Sequence, residues 1–182
     1  MQEVILMQKK NMSARRTTVW LCAVAAFMAL TVVLSSFSIP VPGGHLYLCD
    51  IVICTAALLL DPLGAFLAGG VGAFIGDLLF YPLPMFVTLA SHGLQAVIIS
   101  VFAHIGRRKH SRMPAAVGLI LGSVVMVVGY TLGRAFIYST TEYAVLKLPY
   151  EMLQAAIGAV IAVLLCRKGG LENAFHRIMH ME

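Results

Sequence analysis

Six apolar stretches separated by short polar or basic segments fill most of this chain, and no other feature constrains its fold as tightly. A helix needs roughly 17 to 25 apolar residues to cross a bilayer. The stretches fall at 17–36, 50–60, 62–80, 85–105, 113–138 and 149–166. Hydrocarbon offers the backbone no hydrogen-bond partner, so each stretch predicts a helix that satisfies its own polar groups. With 60% hydrophobic and 12% charged residues and a mean hydropathy of +0.90, a soluble globular domain is excluded. The expected fold is an all-α membrane protein of six transmembrane helices, with a cytoplasmic segment 1–16, a membrane domain 17–168 and a cytoplasmic tail 169–182. The second stretch is too short to cross as a straight helix, which predicts a tilted, broken or re-entrant segment unless "GGHLYL" also enters the membrane.

Charge supplies the orientation. Lys9, Lys10, Arg15 and Arg16 precede span one, Arg107, Arg108, Lys109 and Arg112 lie between spans four and five, and Arg167 and Lys168 follow span six. Six crossings put all of them on one side, which the positive-inside rule makes the cytoplasm, together with both termini. The other side carries Arg134 and Lys147 with Asp50, Asp77, Glu142 and Glu151. A net charge of +5 is then explained by cationic loops beside anionic lipid, with no nucleic acid as partner. The basic residues before span one read as a topology signal rather than a cleavable signal peptide, because the stretch has full span length and no small-residue cleavage site. Cys22, Cys49, Cys54 and Cys166 lack any CxxC or zinc-like spacing and read as small apolar fillers, and no metal site is expected.

Glycine and alanine mark the packing surfaces. In "AGGVGAFIGD" and the residues before it, Gly64, Ala68, Gly72 and Gly76 recur every four residues, beside a second row of Ala65, Gly69 and Ala73. Such ridges let a neighbouring helix approach closely. Asp61–Pro62 reads as the start of this helix, with Asp61 as cap and proline at the first helical position. In span one Ala25 and Ala29 form an AxxxA pair, widened by Cys22 and Ala26. Spacing serves internal packing and docking of another protein's helix equally well.

Polar residues inside spans are costly and mark sites. His92 and Gln95 share a face in the outer half of span four, Tyr130, Arg134 and Tyr138 share one at the outer end of span five, and Glu151 and Gln154 begin span six. Beside them lie the loops 38–48, with His45 and Tyr47, and 139–148. Together they predict a pocket open to the outside with two lids; the bland alternative is an Arg134–Glu151 pair joining helices five and six. Tyr81, Tyr138, Tyr143 and Tyr150 read more simply as an interfacial aromatic belt. No GxxxxGK[ST], HExxH or GxSxG motif occurs, and no inverted repeat is evident. No catalytic residue is assigned, and acid–base work by His92 and Glu151 is the minor alternative.

The AxxxA of span one, the block "HLYLCDIVICTAALLLDPLGAFLAGGVGAFIGDLL" and "SHGLQA" in span four resemble the substrate-binding S components of energy-coupling factor (ECF) vitamin transporters. The resemblance covers most of 17–166 and is most specific over 45–79. It implies a multi-pass subunit of a prokaryotic plasma membrane that captures a vitamin or precursor from outside. Its implied partners are a transmembrane T component and two ABC ATPases, which bind the ATP, so this chain needs no cofactor. Ala25 and Ala29 match the small motif that faces the T component. The family's ligand site lies in the outer parts of spans four to six and the loops after spans one and five. One departure is that relatives in this branch carry Lys–Gly where this chain has His92–Gly93, so no ligand assignment passes through that lysine. Within the family the chain looks closest to the hydroxymethylpyrimidine or pyridoxine branch, with pantothenate next. An Arg134 already neutralised by Glu151 favours the ring, while a free Arg134 suits a carboxylate. An independent carrier is the remaining alternative.

Overall fold

The computed structural model describes residues 2–180, and side chains for 15–178. Lys9 and Lys10 of the N-terminal basic cluster lie outside the described side chains. Helix α1 (Gln2–Ser36) leads into a hairpin of β1 (Ser38–Val41) and β2 (Gly44–Tyr47), followed by α2 (Cys49–Leu59), α3 (Pro62–Phe80), α4 (Met85–Arg108), α5 (Met113–Tyr138), α6 (Thr141–Arg167) and α7 (Leu171–His180). Among the described residues, five helices are long and apolar enough to cross a membrane: Arg15–Ser36 within α1, and α3 to α6. The eleven residues of α2 are about 16 Å of helix, half a hydrocarbon core.

Short as it is, α2 is the centre of the bundle. Ile53, Cys54 and Ala57 pack with Ala96, Ile99 and Ala162 from α4 and α6. At its start, a Cβ on Gly158 would stand 2.6 Å from Asp50 Cβ, so only glycine lets α6 close on α2 there.

The glycine-rich α3 sits between two neighbours and gives each a row. Gly64, Gly72 and Gly76 face Trp20, Met28, Thr31 and Ser35 of α1, while Gly70 lies against Gly93 of α4, where an added Cβ would come within 2.8 Å of the Gly93 Cα. Phe66–Val71, which includes Gly70, forms a π-helical turn whose extra residue re-aims the second half of the helix. A further small-residue seam, which the sequence reading passed over, comes from α5, where Gly118, Gly122, Gly129 and Gly133 receive Phe102, Ile99, Ser91 and Val87 of α4.

Four local expectations are corrected. The segment 38–48 is a hairpin, closed by Pro42 and by Gly43 at φ +80°, a conformation that glycine adopts without strain. The predicted second lid, 139–148, is instead the first turns of α6, capped by Thr140, whose hydroxyl accepts from Tyr143 N at 3.4 Å. Pro149 suggested a helix start but lies inside this helix, a placement membrane helices tolerate. Asp61 precedes Pro62 as expected, yet its carboxylate makes no cap; it accepts from Trp20 Nε1 at 2.5 Å and ties α1 to the start of α3. The tail after 168 is largely helical, and Phe175 of α7 packs beside Trp20 and Val24.

Candidate functional site

Where the hairpin, the ends of α3 and α5 and the starts of α4 and α6 converge, they enclose a cavity of about 270 Å³. His92 from α4 and Tyr130, Arg134 and Tyr138 from α5 line it on the faces that helical spacing predicts, and His45 and Tyr47 join them from β2. Asp77, Thr88, Tyr81 and Tyr143 line it too and were missed as site residues. Asp77 had a legible signal, being a carboxylate within a span at the predicted outer end. Tyr81, Tyr138 and Tyr143 therefore do more than form a belt, whereas Tyr150 is not part of the lining.

Gln95, Glu151 and Gln154 do not line the cavity; all three are buried behind its wall. Glu151 Oε1 accepts from Arg134 Nη2 at 2.9 Å, so helices α5 and α6 are joined by the ion pair that the bland alternative described. Arg134 also donates from Nη1 to the Gly43 carbonyl at 3.1 Å, and Lys147 Nζ donates to the His45 carbonyl. These cations strap the hairpin to α5 and α6. Gly43 seats directly on Lys147, leaving no room for a side chain.

Two polar chains organise the walls. Tyr130 Oη donates to Thr88 Oγ1 at 2.7 Å, and Thr88 donates in turn to Asp77 Oδ2. Behind the other wall, Asp50, which is 1% exposed, accepts from Gln95 Nε2 at 3.1 Å and from Gln154 Nε2 at 2.5 Å. Gln95 Oε1 meets His92 Nδ1 at 2.7 Å, and Gln154 Oε1 accepts from Tyr47 N at 2.9 Å. The His92 and Tyr130 rings meet at 63°, centroids 5.2 Å apart. Across the cavity the Arg134 guanidinium lies 5.4 Å from the Tyr138 ring centroid. Arg134 Nε and Tyr138 Oη are buried with no hydrogen-bond partner among the described residues, and buried polar atoms left so are costly.

Among the described residues, Cys49, Asp50 and His92 bring a sulfur, an oxygen and a nitrogen within 4.8 Å of one another. Both Asp50 oxygens and His92 Nδ1 are already engaged by the two glutamine amides, so a cation there would have to displace that network. On α1, Cys22, Ala25, Ala26 and Ala29 are all exposed, and the buried residue of that stretch is Val24. This face takes no part in packing within the chain.

Residues 15–169 match the family model described as the ECF-type riboflavin transporter, S component. A Pyrococcus woesei protein described as an uncharacterized protein in gap 3'region is 34% identical over 135 residues, which is 73% of this chain and 88% of the other. The fold is similar to one reported under the heading "Structure and mechanism of the S component of a bacterial ECF transporter", with a TM-score of 0.71 at 16% identity, covering 85% of this chain and 96% of that one. S components work with a T component and ATPases and perform no catalysis themselves. The chain belongs to the family of ECF-type riboflavin transporter S components and is a multi-pass, substrate-binding subunit of vitamin uptake in the prokaryotic plasma membrane.

Proposed function

We propose that this chain captures a small polar ring, of the hydroxymethylpyrimidine or pyridoxine type, in the cavity beneath the hairpin. The observation that carries the reading is the lining itself. A volume of about 270 Å³ lies just below the roughly 300–1,000 Å³ of sites for drug-sized ligands, which supports one ring rather than several fused ones. Tyrosine faces offer stacking, Asp77 offers a carboxylate acceptor, and Arg134 and Tyr138 each keep a buried donor without a partner among the described residues. Because Glu151 already neutralises Arg134, the site lacks the free cation that the pantothenate carboxylate calls for.

In this reading the hairpin and α2 together make the second crossing, both termini are cytoplasmic and the cavity opens outward. Four strand residues and eleven helical ones would span about 29 Å, close to a hydrocarbon core. The exposed Cys22–Ala29 face meets the T component, and the two ATPases drive reorientation of the loaded subunit. The chain alone binds and does not transport.

Calorimetry on the purified chain with hydroxymethylpyrimidine, pyridoxine, pantothenate and riboflavin, alongside mass spectrometry of molecules released on denaturation, tests the cargo. Tight binding of either single ring supports the proposal; tight binding of pantothenate or riboflavin alone overturns it. Cysteines placed at Ser111 and Thr141, with Cys22 replaced by alanine, should label from opposite sides of the membrane. Labelling of both from outside overturns the topology.

A further inference from the structure

We infer that Asp50, which does not itself line the cavity, is the positioning residue that fixes the histidine of the site: it holds His92 as the Nδ1–H tautomer, so that Nε2 faces the cavity as a bare acceptor. The inference rests on the reading of the cavity as the ligand site and adds the chemistry by which that site selects. The sequence of steps begins at a group that has no choice. A backbone N–H only donates, so the 2.9 Å contact from Tyr47 N requires the oxygen of the Gln154 amide on that side. The Gln154 NH₂ is thereby turned toward Asp50 Oδ2, 2.5 Å away, and Oδ2 must accept.

The same logic passes through the other oxygen. Gln95 Nε2 stands 3.1 Å from Asp50 Oδ1 and 3.8 Å from Cys54 Sγ, so one amide nitrogen with two hydrogens faces two acceptors. Its oxygen is left to meet His92 Nδ1 at 2.7 Å. An amide oxygen cannot donate, so Nδ1 carries the hydrogen, and a neutral ring keeps its lone pair on Nε2. His92 lines the cavity, is only 2% exposed, and Nε2 has no hydrogen-bond partner among the described residues. The group it can recognise is a ligand N–H or O–H.

The Tyr130–Thr88–Asp77 chain sets the neighbouring wall in the same sense. Tyr130 donates to Thr88 and Thr88 to Asp77 Oδ2, which leaves Asp77 Oδ1 as a second acceptor without a partner among the described residues. On α5, Arg134 Nε and Tyr138 Oη are buried donors without acceptors among the described residues. The selected ligand therefore presents donor groups, such as an exocyclic amine or hydroxymethyl, along one edge and ring nitrogens or oxygens along the other. A ring bearing only acceptors would leave His92 Nε2 and Asp77 Oδ1 unmatched and bind poorly.

Nitrogen NMR of the histidine side chains in the full-length protein tests the tautomer without any ligand, with the His92 signal assigned by its loss in His92→Asn. The neutral histidine side chain free in water prefers the Nε2–H form, so a dominant Nδ1–H signal is a discriminating result and is the one expected. Asp50→Asn keeps the shape, but its amide oxygen is claimed by the Gln154 NH₂ and its own NH₂ is left facing Gln95, which turns the Gln95 amide over, so the His92 signal should move to the Nε2–H form. A dominant Nε2–H or doubly protonated ring in the unmodified chain overturns the inference, and so does an unchanged tautomer in Asp50→Asn. Should that variant not fold, Gln95→Met, which removes the intermediary, reads the same signal. Hydroxymethylpyrimidine added to saturation should shift the His92 resonances, with roughly tenfold weaker binding in Asp50→Asn. A correct tautomer whose resonances no tested vitamin perturbs would sink the ligand-site reading while leaving the relay intact.

Discussion

The cavity wall and the outward face of α1 are opposite kinds of surface on one small subunit. Around the cavity, the side chains of Asp50, Gln95, Glu151 and Gln154 are buried and tied to partners within the chain. On α1, Cys22, Ala25, Ala26 and Ala29 are exposed and offer no polar group beyond one free thiol. The difference follows from what each residue type demands of a bilayer. A polar side chain in hydrocarbon must find its partner, so the chain itself settles its geometry. A small apolar side chain makes no such demand and accepts lipid or another helix with equal ease.

If the wall is the determined surface, cutting its ion pair should do the most damage. Glu151→Ala leaves the Arg134 charge buried with only the Gly43 carbonyl and should lower stability by about 3 to 5 kcal/mol. Thermal unfolding in detergent measures this, and Glu151→Leu with Arg134→Met should recover much of the loss. A single substitution that leaves the melting temperature unchanged would break the comparison at its stronger end.

The two sides of α1 sharpen it next. Facing α3, a Cβ on Gly76 would come within 2.6 Å of Ser35 Cβ, so Gly76→Leu should cost about 3 kcal/mol of stability. The third effect is on affinity. Asp77→Asn keeps the bond from Thr88 in one amide orientation but removes the charge, and should weaken vitamin binding by about 2 kcal/mol in calorimetry. The melting temperature should change little.

How far the sequence carried these conclusions differs between the two surfaces in a physically intelligible way. Apolar length and helical period located the long helices and placed His92, Tyr130, Arg134 and Tyr138 on one cavity, because depth in the bilayer and a shared face depend only on local spacing. The same period put Gln95 and Gln154 with them, yet both turn behind the wall, since their partner Asp50 lies on α2 and a residue 45 or 104 positions away leaves no mark in local spacing. Proline 149 hid the first turns of α6, as it reads as a helix boundary in water and is absorbed by a membrane helix. The row Gly64, Gly72 and Gly76 and the pair Ala25 and Ala29 carry one signal and meet different fates, one buried on α1 and the other bare. Close spacing of small residues states that something can approach; only the fold says whether that something is within the chain.

The smallest expected effect on the isolated protein is therefore the most informative about its partners. Ala29 is exposed, so Ala29→Trp displaces no neighbour in the chain and should change stability by no more than about 0.5 kcal/mol. Vitamin affinity should be unaltered, because none of the cavity-lining residues lies between Trp20 and Leu34. In a complex the indole would hold a partner helix away from the Cys22–Ala29 face and forfeit the close contacts on which packing of small residues depends. Pull-down with the T component and ATPases should consequently fall steeply while calorimetry and thermal unfolding stay as they were. If assembly survives and ligand binding is lost instead, the face of α1 is coupled to the cavity and the two surfaces are not independent. If nothing changes in any of the three measurements, this face meets only lipid and the partner docks elsewhere.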